Sequence, residues 1–365
     1  MSRQEPADPG PPPASSVAQC VVQWQAAHGR HHLPWQNTRD PYRVWLSEIM
    51  LQQTQVATVL GYYERFLARF PGVAALAAAP LDDVLALWSG LGYYSRARNL
   101  HRCAQIVVAE HGGEFPRSAA ALAQLPGIGR STAGAIAAFC FGERVPILDA
   151  NVRRVLTRVL GFGEDLARPA SERRLWQLAE ELLPAHDLPS AMPRYTQGLM
   201  DLGAGICLPR KPACMLCPLQ DICVARREGQ PERYPVRSRT LRRTAQDWWL
   251  LLRRDGAGRV WLERRPGAGI WAGLYCPPIR DSREALAADL APADAQALRD
   301  LPAFTHVLTH RDLHLHPVLA EGASAARAED SAQGGWFSPA QWQALGLPAP
   351  VRSLLDRLAS LPAAD

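Results

Sequence analysis

Apolar residues recur every three or four positions from Ala18 to about Ala225, and Gly and Pro interrupt them at short intervals. This period is that of amphipathic helices, and no run in this stretch alternates every second residue as a half-buried strand would. Asp40-Pro41 is a typical helix start, because Asp caps free amides and proline tolerates the first turn. We expect helix from there to about Pro71, broken into two at Gly61. Further helices are predicted at 81–88, 95–111, 118–124, 130–141, 149–160, 171–183 and 193–202.

The pattern changes after a stretch rich in Arg and Pro, which is typical of an exposed linker. Beyond it, two apolar runs flank the turn residues 255–258, and the alternation from Leu313 to Val318 predicts a further strand. Helical patterns at 282–300 and 339–361 complete an α/β module. The sequence therefore predicts a multidomain protein, with a disordered tail at 1–16, an all-α domain at 17–225, a linker at 226–245 and an α/β domain at 246–365.

Composition narrows the class of protein. The 365 residues are 47% hydrophobic and 21% charged, ordinary values for a soluble protein, and no apolar run approaches the ~20 residues of a membrane helix. The proline-rich start lacks the apolar segment of a secretory signal. Net charge is +4 over residues 17–230 and +3 over 231–250. This excess suits a polyanion such as DNA, although a random scatter of charge would look the same.

The basic residues are 39 Arg and a single Lys, Lys211. Chemistry that needs a lysine nucleophile therefore has one candidate.

Four of the eight cysteines fall within seventeen residues, at Cys207, Cys214, Cys217 and Cys223. Four thiolates in a short loop can hold a tetrahedral zinc ion or an iron-sulfur cubane. Tetracysteine zinc sites usually pair two CxxC motifs, whereas this run has one CxxC and uneven flanks, which favours iron-sulfur over zinc. The basic residues around the loop either face phosphate or are solvated charges. The remaining four cysteines are predicted to be reduced core residues: Cys20, Cys103, Cys140 and Cys276.

Two glycines, Gly127 and Gly129, stand between helical segments in LPGIGRSTA. Glycine lets the backbone approach an anion closely, and the amides that follow lie at a helix N-terminus, where they can hold a phosphate. A purely structural turn is the alternative. A P-loop is excluded, because Gln124 and Arg130 stand where its first Gly and its Lys are required.

Two carboxylates stand out. Asp149 lies between an apolar run and a helix in VPILDANVRRVL, where it is either a helix cap or a catalytic group. Glu48 lies in the otherwise apolar helix WLSEIMLQQTQV. If Glu48 is buried, its pKa is raised, which suits a general acid; the alternative is an exposed Glu on an amphipathic helix.

These motifs together resemble a known superfamily. LPGIGRSTA, VPILDANVRRVL and the cysteine run match the helix-hairpin-helix DNA glycosylases in order and spacing, and the cysteine spacing resembles the cluster loop of endonuclease III and MutY. WLSEIMLQQTQV and GLGYYSRARNL resemble the MutY adenine glycosylases most closely, over about Trp24 to Cys223 and beyond. The resemblance implies base excision repair of adenine opposite 8-oxoguanine or guanine in duplex DNA, and one 4Fe-4S cluster.

The resemblance also implies catalytic roles. Cleaving an N-glycosidic bond requires a proton for the leaving base and negative charge near the cationic sugar. Glu48 corresponds to the acid that protonates adenine, and Asp149 to the group that stabilises the sugar cation electrostatically or covalently. Asn151 is expected to orient the surroundings of Asp149.

In such a family the target base leaves the duplex and side chains fill the gap. Gln53 and Tyr93 match the positions that wedge into the stack, with Leu51 nearby. From local pattern alone, Tyr93 would be a core aromatic and Gln53 an exposed helix residue. Trp35 and Gln36 are expected to line the adenine pocket.

The resemblance assigns Gly127 and Gly129 to DNA backbone binding, together with Ser131. Lyase-competent relatives carry a lysine at the position of Ser131, which forms a Schiff base with the sugar. Because the only lysine here lies in the cysteine loop, we expect a monofunctional glycosylase.

The C-terminal module resembles the MutT-like domain of the same family, without the metal-binding Nudix helix between 279 and 340. Pyrophosphatase activity is therefore not expected. Thr309 and His310 align with the loop that recognises 8-oxoguanine, although Leu308 and Thr309 depart from the usual Phe-Ser. His310, His314 and His316 alternatively suggest a metal site, but alternation puts only the last two on one face.

Three other functions are compatible with parts of the sequence. An endonuclease III-like glycosylase/lyase is disfavoured by Ser131 and by the C-terminal module, and a non-catalytic iron-sulfur DNA-binding protein by the pair Glu48 and Asp149. A Nudix hydrolase lacks its metal helix. We expect a monomer that binds double-stranded DNA in the bacterial cytoplasm, associated with the nucleoid and not with a membrane.

Overall fold

A computed structural model describes residues 14–238, 243–322 and 334–360. The chain divides into two compact units: Met1–Gln53 with Ile106–Thr240, and Thr54–Gln105 with Leu241–Asp365. Most of the predicted tail at 1–16 lies outside the described residues, and the first helix begins at Ala14. Among the described residues, no helix is both long and apolar enough to span a membrane.

The first unit is helical. The capping predicted at Asp40 is confirmed: its side chain accepts a hydrogen bond from the amide of Tyr42 at 2.9 Å, with Pro41 in the first turn. The helix α8 continues into one wider turn of π-helix over Ala137–Phe141. Residues 54–105 belong to the second unit, so the helices of the first unit are numbered on either side of them. They are α1 (Ala14–His28), α2 (Pro41–Leu51), α7 (Ala119–Leu122), α8 (Arg130–Ile136), α9 (Ala150–Leu160), α10 (Pro169–Glu181), α11 (Leu188–Gly205) and α12 (Val224–Arg227).

The core of this unit forms around α9 and α11, with α1 packed on α11. Helix α9 ends at Gly161, whose left-handed φ of +63° closes the helix. Helix α11 contains Pro193 in its second turn, where proline cannot donate to the carbonyl of Pro189; that carbonyl instead accepts a hydrogen bond from Nη2 of Arg39 at 3.0 Å. The helix that follows Asp149 is therefore held in the centre of this core.

The second unit combines helices with a mixed sheet. Its helices from the first segment are α3 (Val56–Arg69), α4 (Val73–Ala78), α5 (Leu81–Trp88) and most of α6 (Ser95–His111). Its strands are β1 (Thr244–Arg254), β2 (Val260–Arg264), β3 (Tyr275–Cys276), β4 (Ile279–Arg280), β5 (Arg299–Asp300), β6 (Phe304–Val307), β7 (Arg311–Glu321) and β8 (Gly334–Phe337). Its later helices are α13 (Arg283–Ala288), α14 (Pro292–Gln296), α15 (Pro339–Trp342) and α16 (Ala349–Ala359).

The sheet order is β3-β2-β1-β7-β5, and β1 and β7 run parallel with Thr244 opposite Arg311. The predicted hairpin between β1 and β2 is confirmed: the amide of Asp255 donates to the carbonyl of Arg259, and the Asp255 carboxylate accepts from the amide of Ala257. The predicted all-α region followed by an α/β module is therefore what the chain forms. The domain boundaries themselves stay a prediction, and residues 54–105 pack in the same unit as the strands.

Three element predictions are wrong. The long helix breaks at Gln52–Gln55 and not at Gly61, which lies within α3, because Gln53 adopts a left-handed φ of +56°. The pattern at 282–300 forms α13, α14 and the strand β5, since Ala291 precedes a proline and is driven out of helical geometry. The pattern at 339–361 is likewise interrupted between α15 and α16, where Gly346 and Pro348 end the periodicity.

Candidate functional site

A cavity of about 300 Å³ opens in the first unit. It contains the predicted pocket residues Trp35 and Gln36 and the predicted acid Glu48. Both amide atoms of Gln36 are buried and have no hydrogen-bond partner among the described residues. Because an unpaired buried amide is costly, a polar ligand in the cavity would satisfy it. The rest of the wall comes from Gln25, Ala26, His31, Thr38, Arg39, Val44, Ser47, Phe139, Ser190, Pro193, Arg194 and Gln197.

Glu48 lies on α2 among buried neighbours, with its side chain on the cavity. Burial raises the pKa of Glu48 to about 8, and the nearby negative charge of Asp149 contributes to the same shift. The carboxyl is therefore mainly protonated at neutral pH. The expectation from the apolar helix, a carboxyl with a raised pKa, holds in the structure.

Asp149 is the N-cap of α9, as its local sequence allowed. Its Oδ1 accepts a hydrogen bond from the amide of Val152 at 2.6 Å. Burial raises the pKa of Asp149, while the amides of Val152 and Asn151 and the charge of Arg154 oppose that rise. Asp149 and Glu48 are thus close enough to interact, yet their surroundings differ: Asp149 has donors that favour the carboxylate, and Glu48 has none among the residues that the structure describes.

Asn151 does not line the cavity. Its Oδ1 accepts from Nη2 of Arg154 at 2.8 Å, and the same Nη2 donates to the carbonyl of Gly203 at 2.6 Å. A Cβ at Gly203 would lie 2.5 Å from Cβ of Asn151, so α11 can approach α9 this closely only with glycine there. Asn151 therefore fixes the start of α9, and with it Asp149.

The glycine-rich segment forms a tight turn before α8. Gly127 has a left-handed φ of +79°, and Gly129 is the N-cap of α8 without a side chain to cover the free amides. These amides are free to hold an anion. Ser131 is used differently: its Oγ accepts from the amide of Leu148 at 3.0 Å, immediately before Asp149.

The structure places Leu51 and Gln53 where α2 ends. Leu51 is the last helical residue and is partly exposed. Gln53 is exposed and holds the strained left-handed conformation named above, an arrangement often found at functional positions.

The four clustered cysteines line one cavity together with apolar residues of α9 and α11. Among the described residues, no group of three His, Cys, Asp or Glu side chains lies close enough to hold a single metal ion. Burial raises the pKa of Cys217 to about 12 and raises that of Cys223. As thiolates they would need strong positive charge, which the irons of a cubane supply.

The buried side chain of Arg158 also fits an iron-sulfur cluster at the four cysteines. Its side chain is among the most buried in the chain and has no carboxylate partner in the described ranges. Its Nη1 donates to Sγ of Cys207 at 3.2 Å, and its other bonds go to backbone carbonyls, including that of Leu208 at 2.7 Å. A buried cation without a counter-ion is costly, and a 4Fe-4S cluster with four thiolates is anionic. Arg154 adds a bond from Nε to the carbonyl of Cys207 at 2.7 Å.

In the second unit, Tyr93 and Thr309 come together although 216 positions separate them. Their hydroxyl groups share a hydrogen bond, and Tyr93 is 43% exposed with a left-handed φ of +48°. Tyr93 is therefore not a core aromatic. Thr309 and His310 lie in the bend between β6 and β7, as the alignment implied, and both are exposed. With Trp271 they line a cavity of about 800 Å³.

Sequence reasoning missed several residues of the first cavity. Phe139 reaches the wall from the π-helical turn after α8, and Gln197 reaches it from α11. The only local clue to Phe139 was an apolar helix, which is equally typical of a core. Residues so far apart in sequence are brought together only by packing, so no local pattern could have found them.

Three family models match the chain. Residues 46–181 match the HhH-GPD superfamily of base excision DNA repair proteins. Residues 207–223 match the iron-sulfur binding domain of endonuclease III, and residues 248–357 match a NUDIX domain. Four cysteines at 207, 214, 217 and 223 thus form an endonuclease III-type 4Fe-4S binding segment, and the predicted cofactor is confirmed. These matches define a helix-hairpin-helix base excision repair glycosylase with a C-terminal Nudix-like domain.

Relatives specify the family further. The chain is 37% identical over 344 residues to an adenine DNA glycosylase of Buchnera aphidicola (subspecies Acyrthosiphon pisum), covering 93% of this chain and 96% of the relative. It is 44% identical over 212 residues to the human adenine DNA glycosylase, covering 56% and 38% of the two chains. A thermostable thymine-DNA glycosylase structure aligns with a TM-score of 0.52 at 29% identity, over 59% of this chain and 97% of that one. The chain belongs to the adenine DNA glycosylase family, hydrolases of base excision repair that remove adenine.

Proposed function

We propose that this chain hydrolyses the N-glycosidic bond of adenine paired with 8-oxoguanine or guanine, and leaves an abasic site without cutting the strand. The observation that carries the proposal is the cavity that holds Glu48, a carboxyl with a pKa of about 8, beside the unpaired amide of Gln36. A protonated acid next to a polar base-sized space is what departure of a purine requires.

In the proposed mechanism, Glu48 donates its proton to a ring nitrogen of the extruded adenine, so that the base leaves as a neutral molecule. Asp149 then faces the developing sugar cation as a carboxylate and stabilises it until water adds. Asn151 and Arg154 are positioning residues, because they fix the helix start that carries Asp149. Burial of Glu48 and hydrogen bonding of Asp149 support this division of roles.

The same proposal assigns DNA contacts. Gly127 and Gly129 offer backbone amides to a phosphate, and Leu51 and Gln53 fill the space left by the extruded base. A contact of this kind recognises the backbone and not the sequence. The exposed, conformationally strained Gln53 supports the wedge assignment.

We assign the opposing base to the second unit. Tyr93, Thr309 and His310 line its cavity of about 800 Å³, and hydroxyl and imidazole groups there provide donors and acceptors for an oxidised purine. The Tyr93–Thr309 hydrogen bond holds the two predicted groups in one place. We further propose that the protein acts as a monomer in the bacterial cytoplasm, associated with the nucleoid.

The function is tested with duplexes that carry A opposite 8-oxoguanine, G, C or T, and with thymine glycol, each treated with and without alkali. We expect base loss only at A opposite 8-oxoguanine or G, with strand breaks only after alkali. A Glu48→Gln preparation is the control for contaminating activity. Release of thymine glycol, or no loss of adenine from any duplex, would overturn the proposal.

The side chain at position 131 is expected to decide between base removal and strand cleavage. Ser131→Lys introduces an amine near Asp149, and we expect a borohydride-trappable adduct with abasic DNA that the wild type does not form. Adenine excision should fall by about fivefold, because the hydrogen bond to Leu148 is lost. Ser131→Ala is the matched control, with the same slower excision and no adduct. Wild-type trapping as fast as adenine removal would refute the monofunctional assignment.

A further inference from the structure

A buried carboxylate lies behind the wall of the first cavity and takes no part in the proposed reaction. Asp201, on α11, has a side chain that is only 1% exposed and does not line the cavity. It accepts three hydrogen bonds: from Nε of Arg30 at 2.7 Å, from the backbone amide of Arg30 at 3.1 Å and from Nε2 of Gln197 at 2.9 Å. The contact with Arg30 is also an ion pair.

This arrangement fixes the direction of the Gln197 amide. An ionised carboxylate only accepts hydrogen bonds, so Gln197 must turn its NH₂ group towards Asp201. Its Oε1 then has no donor among the residues that the structure describes, and Gln197 is itself part of the cavity wall. The end of the amide that remains for a ligand is therefore a hydrogen-bond acceptor.

An acceptor in the wall distinguishes purines by their exocyclic group. Adenine carries an amino group at C6, which donates, whereas hypoxanthine carries a carbonyl there, which only accepts. A carbonyl facing Oε1 would leave two acceptors without a donor between them. Were Gln197 free to rotate by 180°, its NH₂ group would serve hypoxanthine equally well.

We propose that Arg30 and Asp201 are positioning residues that set base selectivity, because they lock Gln197 with its carbonyl oxygen towards the bound base. The proposal rests on the proposed function and names what makes its pocket select a 6-aminopurine. Neither residue touches the base. Both act through the amide of Gln197.

The experiment compares single-turnover excision of adenine and of hypoxanthine, each opposite 8-oxoguanine, by the holoprotein. We expect the wild type to prefer adenine by about tenfold or more. Asp201→Asn is nearly isosteric but can accept or donate, so Gln197 can present either end. Its adenine-to-hypoxanthine ratio should fall to within about threefold of unity, with gain of hypoxanthine excision.

Glu172→Gln is the matched control, because it removes a carboxylate from another arginine pair of the same unit, Arg153–Glu172 at 2.7 Å, away from the cavity. Its ratio should be that of the wild type. A merely structural role for Asp201 would slow both substrates equally and leave the ratio unchanged, and that result overturns the proposal. If Asp201→Asn does not fold, Arg30→Gln is measured instead, and an unchanged ratio there overturns it.

Failure of this proposal is distinct from failure of the proposed function. A wild type that excises adenine, combined with an Asp201→Asn variant of unchanged ratio, refutes only the positioning role. A wild type that excises no adenine refutes the function itself.

Discussion

Glu48→Gln is expected to slow single-turnover excision of adenine by about 10³-fold while duplex binding persists. The amide has nearly the shape of the carboxyl on the cavity, but it cannot donate a proton to a leaving base. In the wild type, excision should also decline about tenfold per pH unit above pH 8, because the acid is lost as pH passes the pKa of Glu48, about 8. Normal turnover by the variant would remove Glu48 from the acid role.

The same substitution should make the folded state more stable at high pH. The folded-state pKa of Glu48, about 8, lies above its ordinary value of 4.5, so its contribution to stability is fully present below pH 4.5 and is lost as pH rises to 8. The substituted amide cannot ionise and avoids that loss, a gain on the order of 4 kcal/mol in the free energy of unfolding at pH 8.

Urea denaturation of wild type and Glu48→Gln at pH 5 and pH 8 measures this gain. Glu64→Gln is the control, because Glu64 is an exposed glutamate on helix α3 and its replacement should leave the pH dependence unchanged. Equal losses of stability from pH 5 to pH 8 in wild type and Glu48→Gln would contradict the buried state of the acid.

Asp149→Asn is the second change with a large expected effect, a decrease in adenine excision of about 100-fold or more. Asn retains an oxygen that can accept from the amide of Val152, so the cap of α9 survives while the negative charge facing the sugar is lost. The unfolding free energy should therefore stay near the wild-type value. Loss of the neighbouring charge should also lower the pKa of Glu48.

Asp149→Ala separates the two roles of this side chain. It removes both charge and cap, and should cost about 1 kcal/mol of stability beyond the Asn variant. Thermal unfolding and single-turnover rates of the two variants provide the comparison. An Asn variant that excises at the wild-type rate would contradict the electrostatic role, and one that is destabilised as much as the Ala variant would contradict the retained cap.

The sequence predicted correctly those helices whose ends are determined by residues close to them in the chain. Asp40-Pro41 starts α2 because both residues act on the first turn alone, and the prediction for 95–111 coincides with α6. The predicted helix break at Gly61 is wrong, because a glycine inside a helix costs only ~1 kcal/mol and the packing of the helix outweighs that cost. The break at Gln53 has no Gly or Pro to announce it.

The residues of the candidate site also fall into two groups, those that lie in a local motif and those that only packing brings together. Glu48, Asp149 and the four cysteines lie in compact motifs, so the sequence could name them. Gln197 and Asp201 reach the cavity region only because α11 packs beside residues 30–48, which lie far earlier in the chain. Nor could the sequence tell that the hydroxyl of Ser131 would bind the amide of Leu148.

Helix α11 carries Gln197 on the cavity wall and, further along, Gly203 against Asn151. At about 1.5 Å per residue the two contacts lie about 9 Å apart along one stiff rod. A sideways shift of that rod would therefore disturb the choice of base and the placement of Asp149 in a single movement. Substitutions that displace the whole helix should therefore change base choice and rate together, whereas a substitution such as Asp201→Asn, which acts on one amide, should change base choice alone.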